Sequence, residues 1–201
     1  MTGAIILAAG ASTRLGTPKQ TVLYEGKTLL QHAIDAAQGA GCHPVVVVLG
    51  AHANTILSDL ANLHPSSAAN IVHNDHWRQG MGTSIAVGLK QLLQIDNALL
   101  FAIIMVCDQP FADAALLRVL MTEQEQTGKG IVASAYANTM GVPALFDHKY
   151  FDVLMKLSGD EGAKKIMLHH QEDVAMVPFE KGVVDIDTVR DVEEFREGKD
   201  E

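Results

Sequence analysis

The residues best suited to chemistry are cations and carboxylates that follow short apolar runs. The first group lies in the segment LAAGASTRLGTPK, where Arg14 and Lys19 come soon after the apolar residues. Small residues let backbone amides approach phosphate oxygens closely, and two cations add charge where the backbone dipoles are not enough. We therefore predict a phosphate-binding loop here. The alternative is a plain glycine-rich turn between a strand and a helix.

This segment matches neither of the two commonest nucleotide-binding motifs. A Walker A loop needs a second glycine five residues after Gly10, where the sequence has Leu15. A GxGxxG loop needs glycine at the position of Ser12. The residues thus predict a phosphate loop of a different kind.

A carboxylate ends the apolar segment FAIIMVCDQP. Asp108 follows this run, and an aspartate at the carboxyl end of a buried strand faces the crevice where open α/β sheets bind ligands. Mg²⁺ prefers carboxylate oxygens and offsets the desolvation that disfavours a buried charge. Asp108 is the best single candidate for a metal ligand, and the alternative is an N-cap for a helix beginning near Ala112. Cys107 is predicted to point back into the sheet as buried packing.

The segment GMGTSIAVG combines two glycines with two hydroxyls at the expected start of a helix. Amides and hydroxyls at a helix N-terminus can read the edge of a base or hold an anion. The candidates are Gly80, Gly82, Thr83 and Ser84. Ordinary capping by Thr83 or Ser84 is an equally good interpretation.

Two further carboxylates lie in the segment VVDID. Asp185 and Asp187 alternate, so on a predicted strand from Val183 to Ile186 they would point to the same face. One of them could complete a two-carboxylate Mg²⁺ site with Asp108. The alternative is that Asp187 or Thr188 caps a last helix, which we predict from about Thr188 to Arg196.

The chain positions these residues by alternating short apolar runs with amphipathic stretches. That rhythm is typical of βαβ units around a mainly parallel sheet. The predicted strands run from Ala4 to Ala9, Val45 to Leu49, Ala69 to His73, Leu99 to Val106, Gly130 to Ala135, Val142 to Phe146, Val174 to Val177 and Val183 to Ile186. Apolar residues at helical spacing predict helices around Leu29 to Ala40, Ile85 to Leu93 and Leu116 to Met121. We predict a single α/β domain over residues 1–201, because no linker or repeat divides the chain.

Composition excludes several classes of protein. The 201 residues are 48% hydrophobic and 19% charged, which excludes a disordered chain and a long coiled coil. A formal net charge of −9 has the wrong sign for broad nucleic-acid binding. Cys42 and Cys107 lie in no CxxC spacing, which favours a reducing compartment. With no apolar run near the ~20 residues of a membrane span and no signal-peptide pattern, we expect a cytoplasmic protein without a membrane segment.

The motifs together resemble a known family. The segments LAAGASTRLGTPKQ, GMGTSIAVGL, MVCDQP, GVPALF, SGDEGAKKIM and DIDT occur in the order found in MobA-like NTP transferases, from about Ile5 to Phe195. The set is most similar to the molybdenum cofactor cytidylyltransferase branch. The resemblance implies a three-layer α/β/α, Rossmann-like (GT-A-like) fold with a mostly parallel mixed sheet. It also implies a nucleoside triphosphate with Mg²⁺ as substrate and an acceptor that is itself a phosphate monoester.

The resemblance also implies a role for each matching position. The residues implied to hold the triphosphate are Leu7, Ala8, Ala9, Gly10, Arg14 and Lys19. Further nucleotide contacts are implied for Gly80, Gly82, Thr83 and Ser84, and acceptor contacts for residues 141–143 and 159–162. Arg14, Lys19 and Asp108 would be catalytic, and Asp108 with Asp187 would hold the metal. The family's Asp-Thr-Pro-Glu-Asp stretch reads Asp-Thr-Val-Arg-Asp here, so Asp185 is a substitute for Asp187.

The resemblance favours transfer of a cytidylyl group to molybdopterin or molybdenum cofactor. In this family LAAG, with alanine at position 9, tends to accompany cytidine rather than guanosine transfer. A molybdenum hydroxylase would be the client of the product. Two alternatives stay open, namely transfer to a sugar phosphate or another phosphorylated metabolite, and a non-catalytic chaperone of the mature cofactor.

Overall fold

A computed structural model describes residues 1–63, 69–188 and 190–193. The strands are β1 Thr2–Ala8, β2 Leu23–Tyr24, β3 Lys27–Thr28, β4 Val45–Leu49, β5 Asn70–His73, β6 Phe101–Val106, β7 Ile131–Tyr136, β8 Thr139–Asp147 and β9 Val174–Pro178. The α-helices are α1 Leu29–Gly39, α2 Ala53–Leu63, α3 Met81–Ile95, α4 Ala114–Thr127, α5 Phe151–Leu154 and α6 Ala163–His169. None of the helices in these ranges has the length and hydrophobicity to cross a membrane.

Seven of the strands form one mixed sheet in the order β5-β4-β1-β6-β8-β7-β9. Strand β8 is antiparallel to both β6 and β7, and the other neighbouring strands are parallel. The predicted mostly parallel mixed sheet is therefore confirmed. The chain moves outward from β1 to β4 and β5, then returns to the other side of β1 with β6. The carboxyl ends of β1 and β6 thus form a topological switch point, where sheets of this kind bind ligands.

Alternate residues of the central strands pack against helices on opposite faces of the sheet. Ile6 belongs to a buried cluster with Leu30 of α1 and Leu117 of α4. Its neighbour Ile5 belongs to a second cluster with Leu89 of α3. Because β1 is buried on both faces, its sequence is a continuous apolar run and not an alternating one. The three-layer α/β/α arrangement is confirmed.

The predicted strand from Val183 to Ile186 is wrong. Residues Glu180–Val183 form a 3₁₀ helix, and residues 184–187 have no regular secondary structure. The reason is packing at Gly182, where an added Cβ would clash with the rings of Tyr136 and Phe179. The apolar pair at positions 183 and 184 gave the appearance of a strand, although Val183 is exposed.

The last predicted helix lies partly outside the described residues. Residues 190–193 are helical, and position 189 and the residues beyond 193 are not described. Side chains of Thr188 and Asp191 form hydrogen bonds with backbone amides at the start of this helix. The amides of Asp187 and Thr188 donate to Asp191 Oδ2 at 2.9 and 2.7 Å, and the Asp191 amide donates to Thr188 Oγ1 at 3.2 Å.

Candidate active site

The loop after β1 is folded around Ser12. Ser12 has a left-handed backbone with φ of 52°. Its carbonyl accepts from the amides of Leu15 and Gly16, each at 3.1 Å, and its Oγ accepts from the Lys19 amide at 3.0 Å. These bonds bring Lys19, which opens a short 3₁₀ helix, back to the end of the sheet.

The side chain of Gln20 also holds this loop, a role that was not predicted from the sequence. Its side chain is buried, and Nε2 donates to the carbonyls of Ala8 at 2.7 Å and Gly10 at 3.2 Å. A glutamine next to a lysine has no spacing that would reveal this role. The loop is therefore held by side chains on both sides before any ligand is bound.

Lys19 connects two carboxylates that arrive from distant parts of the chain. Its Nζ donates to Asp108 Oδ2 and, at 2.8 Å, to Asp187 Oδ1. Arg14 donates to the other oxygen of Asp187 at 2.7 Å. Asp108 follows β6, and the Asp187 segment is attached to it because the Ile186 amide donates to the Asp108 carbonyl at 3.0 Å. We call Arg14, Lys19, Asp108 and Asp187 the charged cluster.

The electrostatics of the charged cluster favour the ionised forms of Lys19 and Asp187. Burial lowers the pKa of Lys19, but the charges and hydrogen bonds of Asp108 and Asp187 outweigh burial and raise it above the usual value. The hydrogen bond from Lys19, with the charge of Arg14, lowers the pKa of Asp187. The side chain of Lys19 is only 17% exposed, whereas that of Arg14 is 70% exposed. Solvent therefore screens the charge of Lys19 less, and its electrostatic interactions are stronger.

Asp185 has a different environment from Asp187. It lies on the outer surface, yet neighbouring protein atoms partly desolvate its carboxyl group. That desolvation, together with the negative charges of Asp108 and Asp187, raises the pKa of Asp185 to about 6. Because Asp187 and not Asp185 shares Lys19 with Asp108, Asp187 is the better placed second carboxylate. The two do not lie on one face of a strand, since no strand forms there.

One carboxylate oxygen of the charged cluster has no hydrogen-bond partner among the described residues. This oxygen, Oδ1 of Asp108, is buried. An unpaired buried carboxylate oxygen is costly unless a cation or donor satisfies it. Oxygen donors from carboxylates are the ligands of Mg²⁺ and Mn²⁺. The residues present therefore fit a divalent metal. No group of three or more His, Cys, Asp or Glu side chains that could hold a metal occurs in the described part of the chain.

The charged cluster borders a cleft of about 300 Å³ at the switch point. The cleft is lined by Leu7, Ala8, Ala9, Gly10, Lys19, Gln20, Trp77, Gly80, Met81, Ser84, Val106, Cys107, Asp108 and Asp160. The structure thus brings most of the predicted phosphate loop together with Asp108, Gly80 and Ser84. Trp77 lines the cleft without having been predicted from the sequence, whereas Asp160 belongs to residues 159–162, which were predicted to lie near the acceptor.

The segment from Gly80 to Ser84 is mostly occupied by contacts within the protein. Helix α3 begins at Met81 after an N-cap Gly80, so Thr83 and Ser84 lie in its first turn as expected, and the interpretation that one of them caps the helix is wrong. The hydroxyls of Thr83 and Ser84 each accept from Asn74 Nδ2 at 2.9 Å, and Thr83 donates to the Gly80 carbonyl at 2.9 Å. Asn74 is buried and was not predicted.

The glycines of this segment serve a contact between two loops. A Cβ on Gly80 would collide with the backbone of Gly159, and the Gly82 amide donates to the Gly159 carbonyl at 3.1 Å. Residues 159–162, predicted to lie near the acceptor, therefore pack beside the segment from Gly80 to Ser84, and Asp160 lines the cleft. Residues 141–143 belong to β8, where Gly141 packs against Tyr136 and the Pro143 carbonyl accepts from Ser134 Oγ at 2.7 Å.

Cys107 lies next to Asp108 but is unsuited to nucleophilic chemistry. It is buried in the cluster that contains Ile6. Burial, reinforced by the charge of Asp108, raises the pKa of its thiol to about 12, so the thiol stays protonated at neutral pH.

The chain has extensive similarity to known proteins. Residues 4–174 match the family described as MobA-like NTP transferase domain. Nicotine blue oxidoreductase of Paenarthrobacter nicotinovorans is 32% identical over 170 residues, which cover 80% of this chain and 78% of that protein. The bifunctional protein GlmU of Caulobacter vibrioides is 57% identical over only 51 residues, 24% of this chain and 11% of GlmU.

A solved structure matches over the whole chain. Rv0371c from Mycobacterium tuberculosis H37Rv has a TM-score of 0.80 at 28% identity, with 98% of each chain covered. The same protein in complex with manganese has a TM-score of 0.78 at 25% identity, again with 98% of each chain covered.

The fold, with its cleft at the β1–β6 switch point, defines a nucleotidyltransferase of the three-layer α/β class. The chain belongs to the family of MobA-like NTP transferase domains.

Proposed function

We propose that this enzyme transfers a nucleoside monophosphate from an NTP, with CTP favoured, to the terminal phosphate of molybdopterin or molybdenum cofactor and releases pyrophosphate. The observation that carries the proposal is the charged cluster beside the β1 loop. It joins a cation that spans two carboxylates to backbone amides that suit phosphate, at the carboxyl ends of β1 and β6. The motif order that resembles the cytidylyltransferase branch supports the acceptor.

The proposed reaction needs charge stabilisation more than a base. The second pKa of a phosphate monoester is ~6, so the acceptor is largely a dianion at neutral pH and can attack without losing a proton. An oxygen of this dianion forms the new bond to the α-phosphorus, and the bond between the α-phosphorus and the bridging oxygen breaks as pyrophosphate leaves. Lys19 and Arg14, with the loop amides, offset the repulsion between the two anions.

A divalent cation fits the carboxylate pair of this cluster. Asp108, through its unpaired Oδ1, and Asp187 would hold the cation. The cation would supply charge neutralisation at the phosphates. We propose Mg²⁺ as the physiological ion, and the manganese complex of the similar Rv0371c supports a divalent metal. In the structure Lys19 satisfies one oxygen from each carboxylate, so it keeps the two side chains in place.

The preference for CTP rests on position 9. Ala9 is buried and lines the cleft, and its methyl group takes space that a glycine would leave open. A pyrimidine is the smaller base, so the narrower cleft supports CTP. We further propose that the enzyme works in the cytoplasm for a molybdenum hydroxylase client, which accords with two free, buried cysteines.

A second acceptor has its own support. The match to the bifunctional protein GlmU, 57% identical over 51 residues, supports a wider range of acceptors. The alternative is a nucleotidyltransferase acting on a sugar phosphate or another phosphorylated metabolite. Both reactions use the same charged cluster, because both acceptors present a phosphate dianion to the α-phosphorus. They differ only in the residues that contact the rest of the acceptor.

The decisive experiment follows pyrophosphate release with Mg²⁺ and molybdenum cofactor in parallel reactions with CTP, GTP, ATP and UTP. We expect release with CTP and a product heavier by one cytidylyl group. Release with GTP would keep the chemistry and overturn the Ala9 argument. Matched reactions replace the cofactor with sugar 1-phosphates, and release only there would establish the second acceptor.

Two further outcomes separate the remaining classes. Tight cofactor binding without pyrophosphate release from any NTP would identify a chaperone. Because one relative is named nicotine blue oxidoreductase, the same protein is assayed for turnover of nicotine blue. Such turnover without pyrophosphate release would contradict the proposed transfer.

A further inference from the structure

The lining of the cleft combines charged and large apolar side chains. Lys19 and Asp108 line it at the ends of β1 and β6, whereas Trp77 and Met81 contribute large apolar side chains beside Asp160. Met81 is exposed, and Trp77 is half-buried and is the only tryptophan in the sequence. An exposed methionine beside a partly open indole is the kind of surface that planar ligands use.

The sheet topology separates Trp77 from Asp108 by a definite span. Trp77 packs at the end of β4, because a Cβ on Gly50 would lie 2.6 Å from the Trp77 Cβ. Asp108 follows β6, and β1 lies between β4 and β6. Two strand spacings of ~4.8 Å give roughly 10 Å across this edge of the sheet. A nucleotide whose phosphates lie at Lys19 and Asp108 is long enough to place its base at Trp77.

The backbone that carries the indole is held in place before any ligand binds. The Trp77 amide donates to the Asn74 carbonyl at 3.3 Å, and the Gly80 amide donates to the Trp77 carbonyl at 3.2 Å. The Ala51 amide ties the end of β4 to the Ala9 carbonyl at 3.0 Å, which joins this wall to the phosphate loop. The restrained backbone reduces the entropy lost when a ligand stacks on the ring.

One face of the indole already carries a planar group. The guanidinium carbon of Arg78 lies 4.6 Å from the ring centroid. Arg78 is exposed to solvent, so a base can displace its side chain at little cost. The present contact shows that this face of the ring is open to a flat partner.

We propose that the indole of Trp77 stacks on the nucleobase of the NTP and so forms the base-binding wall of the site. This inference rests on the proposed function, because it takes the phosphates to lie at the charged cluster. The nucleobase fits better than the ring system of the acceptor, because Trp77 lines the same cleft as the phosphate loop, while residues 141–143 do not line it. Stacking of this kind tolerates different bases, so Trp77 gives affinity and Ala9 selects the base.

A single tryptophan makes the proposal directly measurable. We titrate the protein with CTP, with GTP and with inorganic tripolyphosphate, and follow indole fluorescence with correction for nucleotide absorbance. Calorimetry measures binding in the same solutions. We expect tripolyphosphate to bind without changing the fluorescence, since it has no base. CTP and GTP should both quench it as they bind.

Variants at two neighbouring positions provide the controls. Trp77→Ala should weaken CTP binding roughly 5- to 150-fold, the range for stacking on one aromatic side chain, and leave tripolyphosphate affinity unchanged. Trp77→Phe should restore most of the CTP affinity. Arg78→Ala removes a neighbouring large side chain and should not weaken CTP binding. A thermal melt confirms that each variant is folded.

The outcomes distinguish this inference from the proposed function. If CTP binds without quenching and Trp77→Ala binds it as tightly as the parent protein, the stacking is wrong while the nucleotidyltransferase proposal stands. If Trp77→Ala loses affinity for CTP and tripolyphosphate equally, Trp77 supports the fold of the loop only, and the inference is overturned. If neither CTP nor tripolyphosphate binds the parent protein, both proposals fail together.

Discussion

Two glycine-containing segments line the same cleft and use their glycines for different purposes. Gly10, in the loop after β1, is exposed, and an added Cβ would meet nothing within 4 Å. Gly80 and Gly82, at the start of α3, are packed so closely against residues 157–161 that an added Cβ would collide with backbone atoms. The absence of a side chain at Gly10 leaves open space beside the loop. The absence of a side chain at Gly80 and Gly82 makes room for the backbone of residues 157–161.

The same contrast holds for polar groups. Thr83 and Ser84 are satisfied by Asn74, whereas Asp108 keeps an unpaired buried oxygen. A buried oxygen without a partner can take a ligand, whereas paired hydroxyls already have their partners. This contrast supports the proposal that the charged cluster and the β1 loop carry the chemistry, and it shows that the hydroxyls of Thr83 and Ser84 are held by the protein.

The largest expected effect comes from the unpaired carboxylate. Asp108→Asn should lower turnover on the order of 10²-fold or more, the scale of removing one preorganised electrostatic group, when pyrophosphate release is followed at saturating Mg²⁺. Asp113→Asn is the matched control, because Asp113 caps α4 by accepting from the Leu116 amide at 2.8 Å and asparagine caps equally well. Unchanged turnover in Asp108→Asn would remove Asp108 from the reaction.

A pair of alanine substitutions tests whether the two glycine positions differ in function. Gly80→Ala should lower the free energy of unfolding by about 2 kcal/mol, because φ of 110° is strained for alanine and the Cβ clashes with Gly159. Gly10→Ala should change stability by less than about 0.5 kcal/mol but raise the KM for the NTP several-fold. Urea unfolding and initial rates measure the two effects. Equal loss of stability in both variants would show that the glycines do the same job.

The two candidate second carboxylates are compared in the same way. Asp187→Asn should lower turnover by roughly 10-fold, about 1.4 kcal/mol in the barrier, because Asp187 shares Lys19 with Asp108. Asp185→Asn should lower it by less than about 2-fold, because Asp185 lies outside that contact. The measurement is pyrophosphate release against Mg²⁺ concentration for both variants. The reverse order would make Asp185 the metal ligand.

The smallest effect concerns a carboxylate whose oxygens are both paired. Oδ1 of Asp173 accepts from the Gly130 amide at 3.0 Å, and Oδ2 contacts Lys149 at 2.7 Å and accepts from Tyr150 at 2.6 Å. Burial opposes ionisation, but these partners outweigh it and lower the pKa of Asp173 to about 2 from 3.8. Its stabilising contribution is present above pH 4 and is lost as the pH falls from about 4 to about 2.

Asp173→Asn should therefore lower the free energy of unfolding at pH 7 by about 1 kcal/mol and flatten its decline between pH 4 and 2. Turnover should stay unchanged, because Asp173 lies away from the cleft. Acid unfolding curves of the parent and variant proteins measure this. Parallel curves would mean that Asp173 is not stabilised by its partners.

Most of the fold could be predicted from the sequence because the strands are buried on both faces. Val45 to Leu49 is a strand with the bounds that its apolar run predicts, and β1 and β6 follow the same logic. The segment around Val183 could not be predicted, because its shape depends on packing of Gly182 against the nearby ring of Phe179 and the distant ring of Tyr136. Periodicity reports burial along one segment and contains no information on such partners.

The same limit applies to the candidate site. Arg14, Lys19 and Asp108 could be selected because they follow apolar runs, at the edge where open α/β sheets bind ligands. Asp187 was selected from an expected strand and from the family resemblance, and the structure joins all four side chains in one set of contacts. Gln20, Asn74 and Trp77 escaped because their positions depend on hydrogen bonds and packing that the sequence pattern does not show. The contact of Thr83 and Ser84 with Asn74, which lies nine and ten residues earlier, could not be predicted for the same reason.

The central claim is that the unpaired oxygen of Asp108 belongs to the metal site on which the reaction depends. Its most direct test is a Mn²⁺ titration followed by electron paramagnetic resonance, in the presence of CTP, with the parent protein and its Asp108→Asn and Asp113→Asn variants. We expect the parent protein and Asp113→Asn to bind Mn²⁺ tightly and Asp108→Asn to lose that binding. Equal Mn²⁺ binding by all three proteins would contradict the account.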